Sequence, residues 1–261
     1  MFKNLVLISF ISLPLASENL LDIYNEALDN DPQYKSSEYS LLAGKEFVVQ
    51  GRAGLLPNVT LSGSTNWNEY YQFDELQSAY NNNSVTARLT QPLFRLDTWF
   101  NFRRSKKLTD ASEADFAYAQ QNLIIRTVEK YFGVLRAIDN LNAAVSEEKA
   151  IKKQLDQIQQ RFEVGLSAIT EVQEAQLAYD LSVAAKIRSE GALFNAREEL
   201  NSLIGREIFS IDSLKADIVP ENPNPTTKQE WVDIALKNNY RLQASVLRRD
   251  ASQDSARSSA S

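Results

Sequence analysis

The stretch QRFEVGLSAITEVQ, residues 160–173, is the clearest interruption in a long run of helix-forming sequence. No proline occurs between Pro92 and Pro220, and the run is rich in Ala, Leu, Gln, Glu, Lys and Arg, which favour helix. Gly165 suits the left-handed position that follows a helix end. Ser167 can accept a hydrogen bond from a backbone N–H in the first turn of the next helix. The stretch therefore predicts the tip of a helical hairpin.

Apolar residues on both sides of this tip recur mostly at three- and four-residue steps, across 124–162 and again across 169–200. Such spacing places them on one packed face of each helix. A first helix that begins near Asp97, a plausible N-cap, and ends near Val164 would extend for about 100 Å at ~1.5 Å per residue. This length is typical of a rod, a coiled coil or the wall of a tube.

Two segments before this run change to a period of two. From Asn58 to Tyr71, apolar or aromatic residues alternate with polar ones, and after a polar segment, 72–83, the alternation returns from Val85 to Gln91. Arg88 falls on the polar face. The pattern is typical of a membrane β-hairpin with lipid-facing and lumen-facing sides and a loop at 72–83. A soluble hairpin with one buried face fits the alternation equally well.

Aromatic residues lie at both ends of the two predicted strands. Trp67, Tyr70 and Tyr71 lie near the loop, and Phe94 and Trp99 follow the other end. Aromatic clusters at both ends indicate membrane-interface girdles. The basic residues after the second cluster, 103–107, could meet anionic groups at a membrane edge, although a charge run is more often a solvated helix face.

The first 17 residues, MFKNLVLISFISLPLAS, have a lysine ahead of a largely apolar run and small residues at its end. This pattern predicts a signal peptide, with a short buried helix as the alternative. No later segment has roughly 18 consecutive apolar residues, so a transmembrane helix is not expected.

The composition excludes several classes of function. The 261-residue chain carries a net charge of −6, which argues against nucleic-acid binding. It contains neither cysteine nor histidine, which excludes disulfides, thiol nucleophiles, imidazole catalysis and the usual zinc or copper sites. We therefore expect no catalytic, cofactor-binding or metal-binding residues, and no enzyme.

Residues 131–180, YFGVLRAIDNLNAAVSEEKAIKKQLDQIQQRFEVGLSAITEVQEAQLAYD, resemble the corresponding segment of the TolC family of outer-membrane channels. The likeness is carried by AID, QLDQ, QRF, VGL, AIT and the V-Q that follows, and it extends weakly from Glu18 to the last residue. It implies an α+β membrane protein with a long α-helical hairpin belonging to an α-barrel tunnel. It also implies that the two amphipathic strands belong to a transmembrane β-barrel of the outer membrane, with the helices extending into the periplasm.

The resemblance also implies partners and site residues. A full-length protein of this family is a homotrimer that works with a periplasmic adaptor, or membrane fusion, protein and an inner-membrane transporter. The family's adaptor-docking tip corresponds to Val164, Gly165, Leu166, Ser167 and Ala168. Thr170 and Glu171 occupy its entrance gate, where the family has Thr-Asp. The alternatives are that Gly165 and Leu166 only cap a helix, and that Glu171 only favours a helix N-terminus.

The beginning of the chain recurs near its end. Ala-Leu-Asp-Asn at 27–30 returns as Ala-Leu-Lys-Asn at 235–238, an offset of 208 residues (235 − 27). We therefore expect a signal peptide (1–17), N-terminal helices (18–56), two barrel strands with an extracellular loop (57–96), the tunnel hairpin (97–204), a linker (205–226) and the truncated start of a second repeat (227–261).

The function predicted from these observations is a passive exit duct for drug efflux, type I protein secretion or both. It would contact outer-membrane lipid and work with the adaptor and the pump. The alternative is a periplasmic coiled-coil adaptor or scaffold, which has a long helical hairpin but needs no amphipathic strands.

Overall fold

The computed structural model describes residues 17–214 and 222–261. The predicted signal peptide, apart from its last residue, lies outside them. The elements within these residues, in chain order, are α1 (Leu20–Asn30), α2 (Pro32–Ala53), β1 (Asn58–Gln72), β2 (Glu75–Thr90), α3 (Leu96–Glu163), α4 (Ile169–Ile204), α5 (Lys228–Asn238) and α6 (Tyr240–Ala260). Contacts among the described residues divide the chain into a first unit, 17–36 with 119–214 and 222–224, and a second unit, 37–118 with 225–261.

The break between α1 and α2 lies at Pro32, as the sequence predicts. Asp31 has extended backbone angles, φ −64° and ψ 117°, because the residue before a proline avoids the helical region. Its carboxylate accepts a hydrogen bond from the Tyr34 backbone N–H at 2.8 Å and so caps α2. The same carboxylate pairs with Arg126 of α3, whose Nη1 donates at 3.2 Å.

The helical hairpin of α3 and α4 is confirmed. Helix α3 has 68 residues, which corresponds to about 100 Å of length. Three contacts fix the antiparallel register: Lys186 pairs with Glu148 at 3.1 Å, Lys152 lies over the Tyr179 ring, and the Lys130 ammonium donates to the Glu199 carbonyl at 2.7 Å. The expected N-cap of α3 is wrong: the helix begins at Leu96, and Asp97 lies in its first turn, paired with Arg95. None of the described helices is long and apolar enough to span a membrane.

The core of the first unit joins α1, α3 and α4. Its buried residues are Ile23, Ala27, Leu123, Tyr131, Val134, Ala137, Leu193, Leu200, Leu203 and Ile204. The predicted seam of α3 is only partly right, because Ile124 is about half exposed while Leu123 and Thr127 are buried. Periodicity gives the spacing of a stripe, but the neighbouring helices decide which stripe is covered.

Hydrogen bonds from polar side chains hold the chain segments that flank this core. The Tyr131 hydroxyl donates to the Asp212 carbonyl at 2.8 Å, and burial, aided by the charge of Asp212, raises the pKa of Tyr131. Arg206 donates to both Glu26 and Glu18, at 2.6 and 2.9 Å. The described residues 208–214, which belong to the predicted linker, contain no helix.

Small residues set the packing of the second unit. A Cβ added at Gly44 of α2 would lie 2.3 Å from the Ser112 hydroxyl of α3, so the two helices approach too closely for any side chain there. The Thr109 hydroxyl donates to the Gly44 carbonyl at 2.9 Å. Helices α5 and α6 begin 208 residues after α1 and α2 (228 − 20 and 240 − 32).

The strands β1 and β2 form one antiparallel pair. The predicted loop at 72–83 is wrong: β1 continues to Gln72, β2 starts at Glu75, and only Phe73 and Asp74 turn the chain. Both have positive φ, 51° and 62°, as in the tight turns that suit strand twist. The polar residues stay in the strands because they pair across them, as in Thr65 Oγ1 donating to Asn81 at 2.9 Å.

Candidate functional site

The hairpin tip is built by a left-handed glycine. Gly165 has φ 75°, its N–H donates to the Phe162 carbonyl at 2.9 Å, and the Leu166 N–H donates to the Arg161 carbonyl at 2.8 Å. This pair of hydrogen bonds satisfies two carbonyls at the end of α3, and a residue with a side chain would be strained at this φ. Gly165 is therefore a helix C-cap, as one of the two sequence interpretations required.

The apolar side chains of the tip are not covered by other residues that the structure describes. Val164 and Leu166 are each 69% exposed, and Ile169, at the start of α4, is also exposed. In many glycine caps the residue after the glycine packs on the last turn of the helix, but Leu166 is largely free of such contact. Helix capping therefore accounts for the glycine at position 165 but not for the exposed leucine at position 166. The tip presents an apolar surface suited to contact with another molecule.

The other tip residues correct the predicted cap of α4. The N-cap is Ala168, which offers no side-chain hydrogen bond, and its carbonyl accepts from the Glu171 N–H at 3.1 Å. The Ser167 hydroxyl instead donates to the Glu171 carboxylate. Ser167 therefore does not cap the helix backbone but holds the acidic group of the candidate gate, whereas Thr170 is exposed. The position of Glu171 in the first turn also favours its negative charge through the helix dipole.

The strand pair has one apolar and one polar face. Val59 pairs with Leu89, Leu61 with Ala87 and Gly63 with Val85, so these residues share one face. The neighbouring pairs on the other face are Thr60 with Arg88, Ser62 with Thr86 and Ser64 with Ser84. Val59 and Leu61 are each 73% exposed and Val85 is 81% exposed. The described chain thus leaves an apolar sheet face uncovered, against the alternative of a soluble hairpin with one buried face.

Four of the five predicted girdle residues are largely exposed and Trp99 is about half exposed; the four are Trp67, Tyr70, Tyr71 and Phe94. The eight residue steps from Val59 to Trp67 (67 − 59) span about 26 Å at ~3.3 Å per residue, close to the ~25 Å apolar band of membrane strands. A bulge follows, where Tyr70 pairs with Ser78 but Tyr71 pairs with Leu76. The strands thus continue past the aromatic cluster into the polar segment that had been predicted as a loop.

Glu69 connects two of the predicted girdle residues, a contact that sequence reasoning missed. The Trp67 indole N–H donates to its carboxylate at 3.0 Å, and the Tyr71 hydroxyl donates to it at 2.8 Å. The two-residue spacing that places Trp67, Glu69 and Tyr71 on one face was the available signal. The carboxylate gives both aromatic side chains a polar partner at one end, which suits an interface between an apolar and an aqueous region. Among the described residues, no cluster of three or more acidic side chains could hold a metal ion.

Known proteins match this chain over most of its length. The sequence profile described as outer membrane efflux protein matches residues 23–206. Outer membrane protein TolC of Vibrio cholerae is 32% identical over 244 residues, which cover 94% of this chain and 55% of that protein. The alkaline protease secretion protein AprF of Pseudomonas aeruginosa is 30% identical over 233 residues, which cover 85% of this chain and 48% of that protein. The chain thus spans about half the length of the curated relatives it matches.

Solved structures share the fold. The CmeC outer membrane channel of Campylobacter jejuni superposes with a TM-score of 0.76 at 20% identity, over 93% of this chain and 52% of CmeC. VceC, an outer membrane protein of Vibrio cholerae, gives 0.69 at 17% identity, over 92% of this chain and 58% of VceC. The predicted fold class, long helices with an amphipathic strand pair, is confirmed. Because the profile covers most of the sequence, the chain belongs to the outer membrane efflux protein family, whose members are channel proteins of the outer membrane and not enzymes.

Proposed function

We propose that this chain contributes two strands and a helical hairpin to a passive duct that carries solutes out through the outer membrane. The observation that carries the proposal is the uncovered apolar face of β1 and β2, formed by Val59, Leu61, Val85 and Leu89. In lipid this face has a favourable environment, while the Ser- and Thr-rich face with Arg88 would line an aqueous pore.

The duct must be completed by further strands. The outer edges of β1 and β2 carry backbone groups that hydrocarbon cannot hydrogen-bond, so a closed barrel is needed. We propose that other copies in a homotrimer and a second repeat supply these strands. The assignment of residues 227–261 to the start of that repeat is supported by the constant offset of α5 and α6 from α1 and α2.

We further propose that the tip, residues 164–168, docks a periplasmic adaptor protein. The exposed side chains of Val164 and Leu166 support this, since apolar knobs at a rigid turn suit insertion between partner helices. Ser167 and Glu171 would contribute to the entrance gate as a linked pair, with Thr170 beside them. Energy for transport would come from an inner-membrane transporter, and the substrates would be drugs, secreted proteins or both. The name of AprF, a protease secretion protein, supports the second class.

Planar-bilayer recording tests the duct. We expect discrete conductance steps from purified trimers whose subunits carry both repeats, and a change in ion selectivity when Arg88→Glu reverses the positive charge of Arg88 on the proposed lumen face. An Arg249→Glu variant makes the same charge change on α6, where Arg249 pairs with Asp250, and should leave selectivity unchanged. Absence of any conductance from well-folded oligomers would refute the proposal.

Cross-linking tests the docking tip, because the chain has no cysteine of its own. A Leu166→Cys variant carrying a thiol-linked photo-cross-linker should capture a purified periplasmic adaptor. The matched control is Leu177→Cys on α4, where the native leucine is 60% exposed. Equal capture at both positions would contradict a specific role for the tip.

A further inference from the structure

A buried carboxylate in α6 lies among three cations. Asp254 is fully buried, and its oxygens lie 3.2 Å from the Lys107 Nζ, 3.6 Å from the Arg103 Nε and 3.3 Å from the Arg257 Nη1. One negative charge cannot balance three positive ones. The cluster therefore carries a surplus of positive charge, in a chain whose net charge is −6.

The cations of this cluster remain accessible. The side chains of Arg103 and Arg257 are 41% and 55% exposed although both touch Asp254. Arg103 also lies over the Phe100 ring, with its guanidinium carbon 5.8 Å from the ring centroid. These contacts hold the guanidinium groups in place and leave other N–H groups able to bind an anion. Preorganised arginines are well suited to phosphate oxygens.

The surrounding sequence adds to the positive charge. Lys106 is exposed, and α3 has no acidic residue between Asp97 and Asp110. Asp97 is itself paired with Arg95. Asp250 of α6 also lies near the cluster: the hydrogen bond from Arg249, aided by the charges of Arg249 and Lys107, lowers its pKa. Because Asp250 is paired with Arg249 at 2.7 Å, as Asp97 is with Arg95, these carboxylates oppose a bound anion only weakly.

The cluster begins one turn from the aromatic residues proposed to mark the membrane edge. Arg103 follows Trp99 by four residues and Lys106 follows it by seven, which places them on the same side of α3, about 6 and 10 Å further along the helix. A partly open cavity of about 300 Å³ lies beside Trp99, and its lining is mainly apolar but includes two polar residues: Leu55, Pro92, Leu93, Phe94 and Leu96, with Arg95 and Thr98. Apolar space, an exposed aromatic residue and a basic cluster thus follow one another in the order of a lipid's acyl chain, interface and headgroup.

We propose that Arg103, Lys106 and Arg257 bind the phosphate of an anionic phospholipid in the periplasmic leaflet of the membrane. Lys107 and Asp254 position the two arginines. The proposal rests on the membrane insertion of β1 and β2 given above. The occupant is a lipid because the basic cluster adjoins apolar surface, which a free phosphate ion would not require.

Vesicle flotation of the full chain tests this inference. The probes are vesicles of phosphatidylcholine alone and vesicles in which part of it is replaced by phosphatidylglycerol. The wild type should bind the anionic vesicles more tightly, and the double variant Lys106→Gln with Arg257→Gln should lose this preference by about tenfold or more, since each basic residue at an anionic surface contributes about a factor of five. The variant Lys106→Arg with Arg257→Lys keeps both charges and should keep the preference.

The matched control removes the same charge elsewhere. Lys149 and Lys153 are exposed in the C-terminal half of α3. The double variant Lys149→Gln with Lys153→Gln should bind both kinds of vesicle as the wild type does. Equal loss in both double variants, or no loss in either, would overturn the proposal. Loss of the preference on adding inorganic phosphate at constant ionic strength, or equal binding of an acidic peptide, would overturn the assignment to a lipid.

The neutral vesicles separate this inference from the proposed function. If the wild type floats with phosphatidylcholine vesicles but shows no preference for phosphatidylglycerol, the headgroup site is wrong and the membrane insertion stands. If it floats with neither kind of vesicle, the insertion fails, and the lipid site fails with it.

Discussion

At the scale of single residues, the fold depends on a few positions where only one residue type suits the backbone conformation, the available space or the hydrogen-bond partner. Gly165 occupies a left-handed turn, Gly44 allows close helix contact, and the Tyr131 hydroxyl is held against the Asp212 carbonyl. Only the first of these was evident in the sequence, because a glycine between two helical patterns has a local signature. The other two depend on what lies opposite, which sequence spacing does not show.

Replacing Gly44 by alanine should destabilise the protein by about 1–3 kcal/mol, the usual cost of overpacking. The new Cβ would meet the Ser112 hydroxyl and Cβ at 2.3 and 2.4 Å. The control is Gly133→Ala in α3, where an added Cβ has no neighbour within 4 Å and alanine should stabilise the helix by about 0.5–1 kcal/mol. Denaturant unfolding followed by circular dichroism measures both. Equal effects at the two positions would show that α2 and α3 are not so closely packed.

Replacing Tyr131 by phenylalanine should cost about 1 kcal/mol at neutral pH through the lost hydrogen bond. Burial raises the pKa of Tyr131 above its unfolded value near ~10. The folded state then binds the proton more tightly, so this stabilisation is complete below pH ~10 and is lost as the pH rises through the folded pKa.

The stability difference between wild type and Tyr131→Phe should therefore shrink as the pH rises above ~10. Urea unfolding at a series of alkaline pH values measures it. Tyr39→Phe, at a largely exposed tyrosine, is the control and should change stability by less than about 0.5 kcal/mol at any of these pH values. A difference that stays constant with pH would contradict the prediction.

At the scale of elements, the strand pair and the helical hairpin each present apolar groups that the described chain leaves uncovered. The alternation in β1 and β2 predicted their two faces correctly, since side-chain direction follows from the period of two. It did not predict where the strands end, because serine, threonine and asparagine are common in loops and equally able to pair across a sheet. The hairpin tip was found at 164–168 because the helical pattern itself is interrupted there.

A charge on the apolar face of β1 should be far more harmful than one on the polar face. We expect Leu61→Arg to destabilise the membrane-inserted protein by about 2–4 kcal/mol. Ser62→Arg, at the next residue along the strand, should cost less than about 1 kcal/mol because it faces the aqueous side. Unfolding in lipid vesicles measures both. If the two variants were equally stable, the sheet would not have one lipid-facing side.

At the scale of the whole molecule, the proposed position in the membrane predicts which of the three tryptophans are in contact with lipid. Trp67 lies at one end of the apolar face, and Trp99 follows its other end. Trp231 lies in α5, before α6. The Ser258 hydroxyl near the end of α6 donates to the Asp97 carbonyl at 2.9 Å. Since Tyr240 begins α6 18 residues earlier (258 − 240), the start of α6 lies about 27 Å from Ser258 along the helix axis.

In vesicles, we expect lipids with brominated acyl chains to quench Trp67 and Trp99 but not Trp231. Variants that retain one tryptophan and carry phenylalanine at the other two positions allow each to be measured alone. A water-soluble quencher provides the opposite control and should act most strongly on Trp231. Strong lipid quenching of Trp231, or none of Trp67, would contradict the proposed depth of the strands.

The sequence by itself determined the helical hairpin, its tip, the two-faced strand pair and the family, because each rests on local spacing or on a long continuous match. The tertiary structure decided which stripe of α3 is buried and that Ser167 binds Glu171. It also decided that Glu69 accepts hydrogen bonds from both Trp67 and Tyr71, and that Asp254 forms ion pairs with three basic residues. Spacing along a chain fixes the direction of a side chain, but the partner it meets depends on residues that can be more than a hundred positions away.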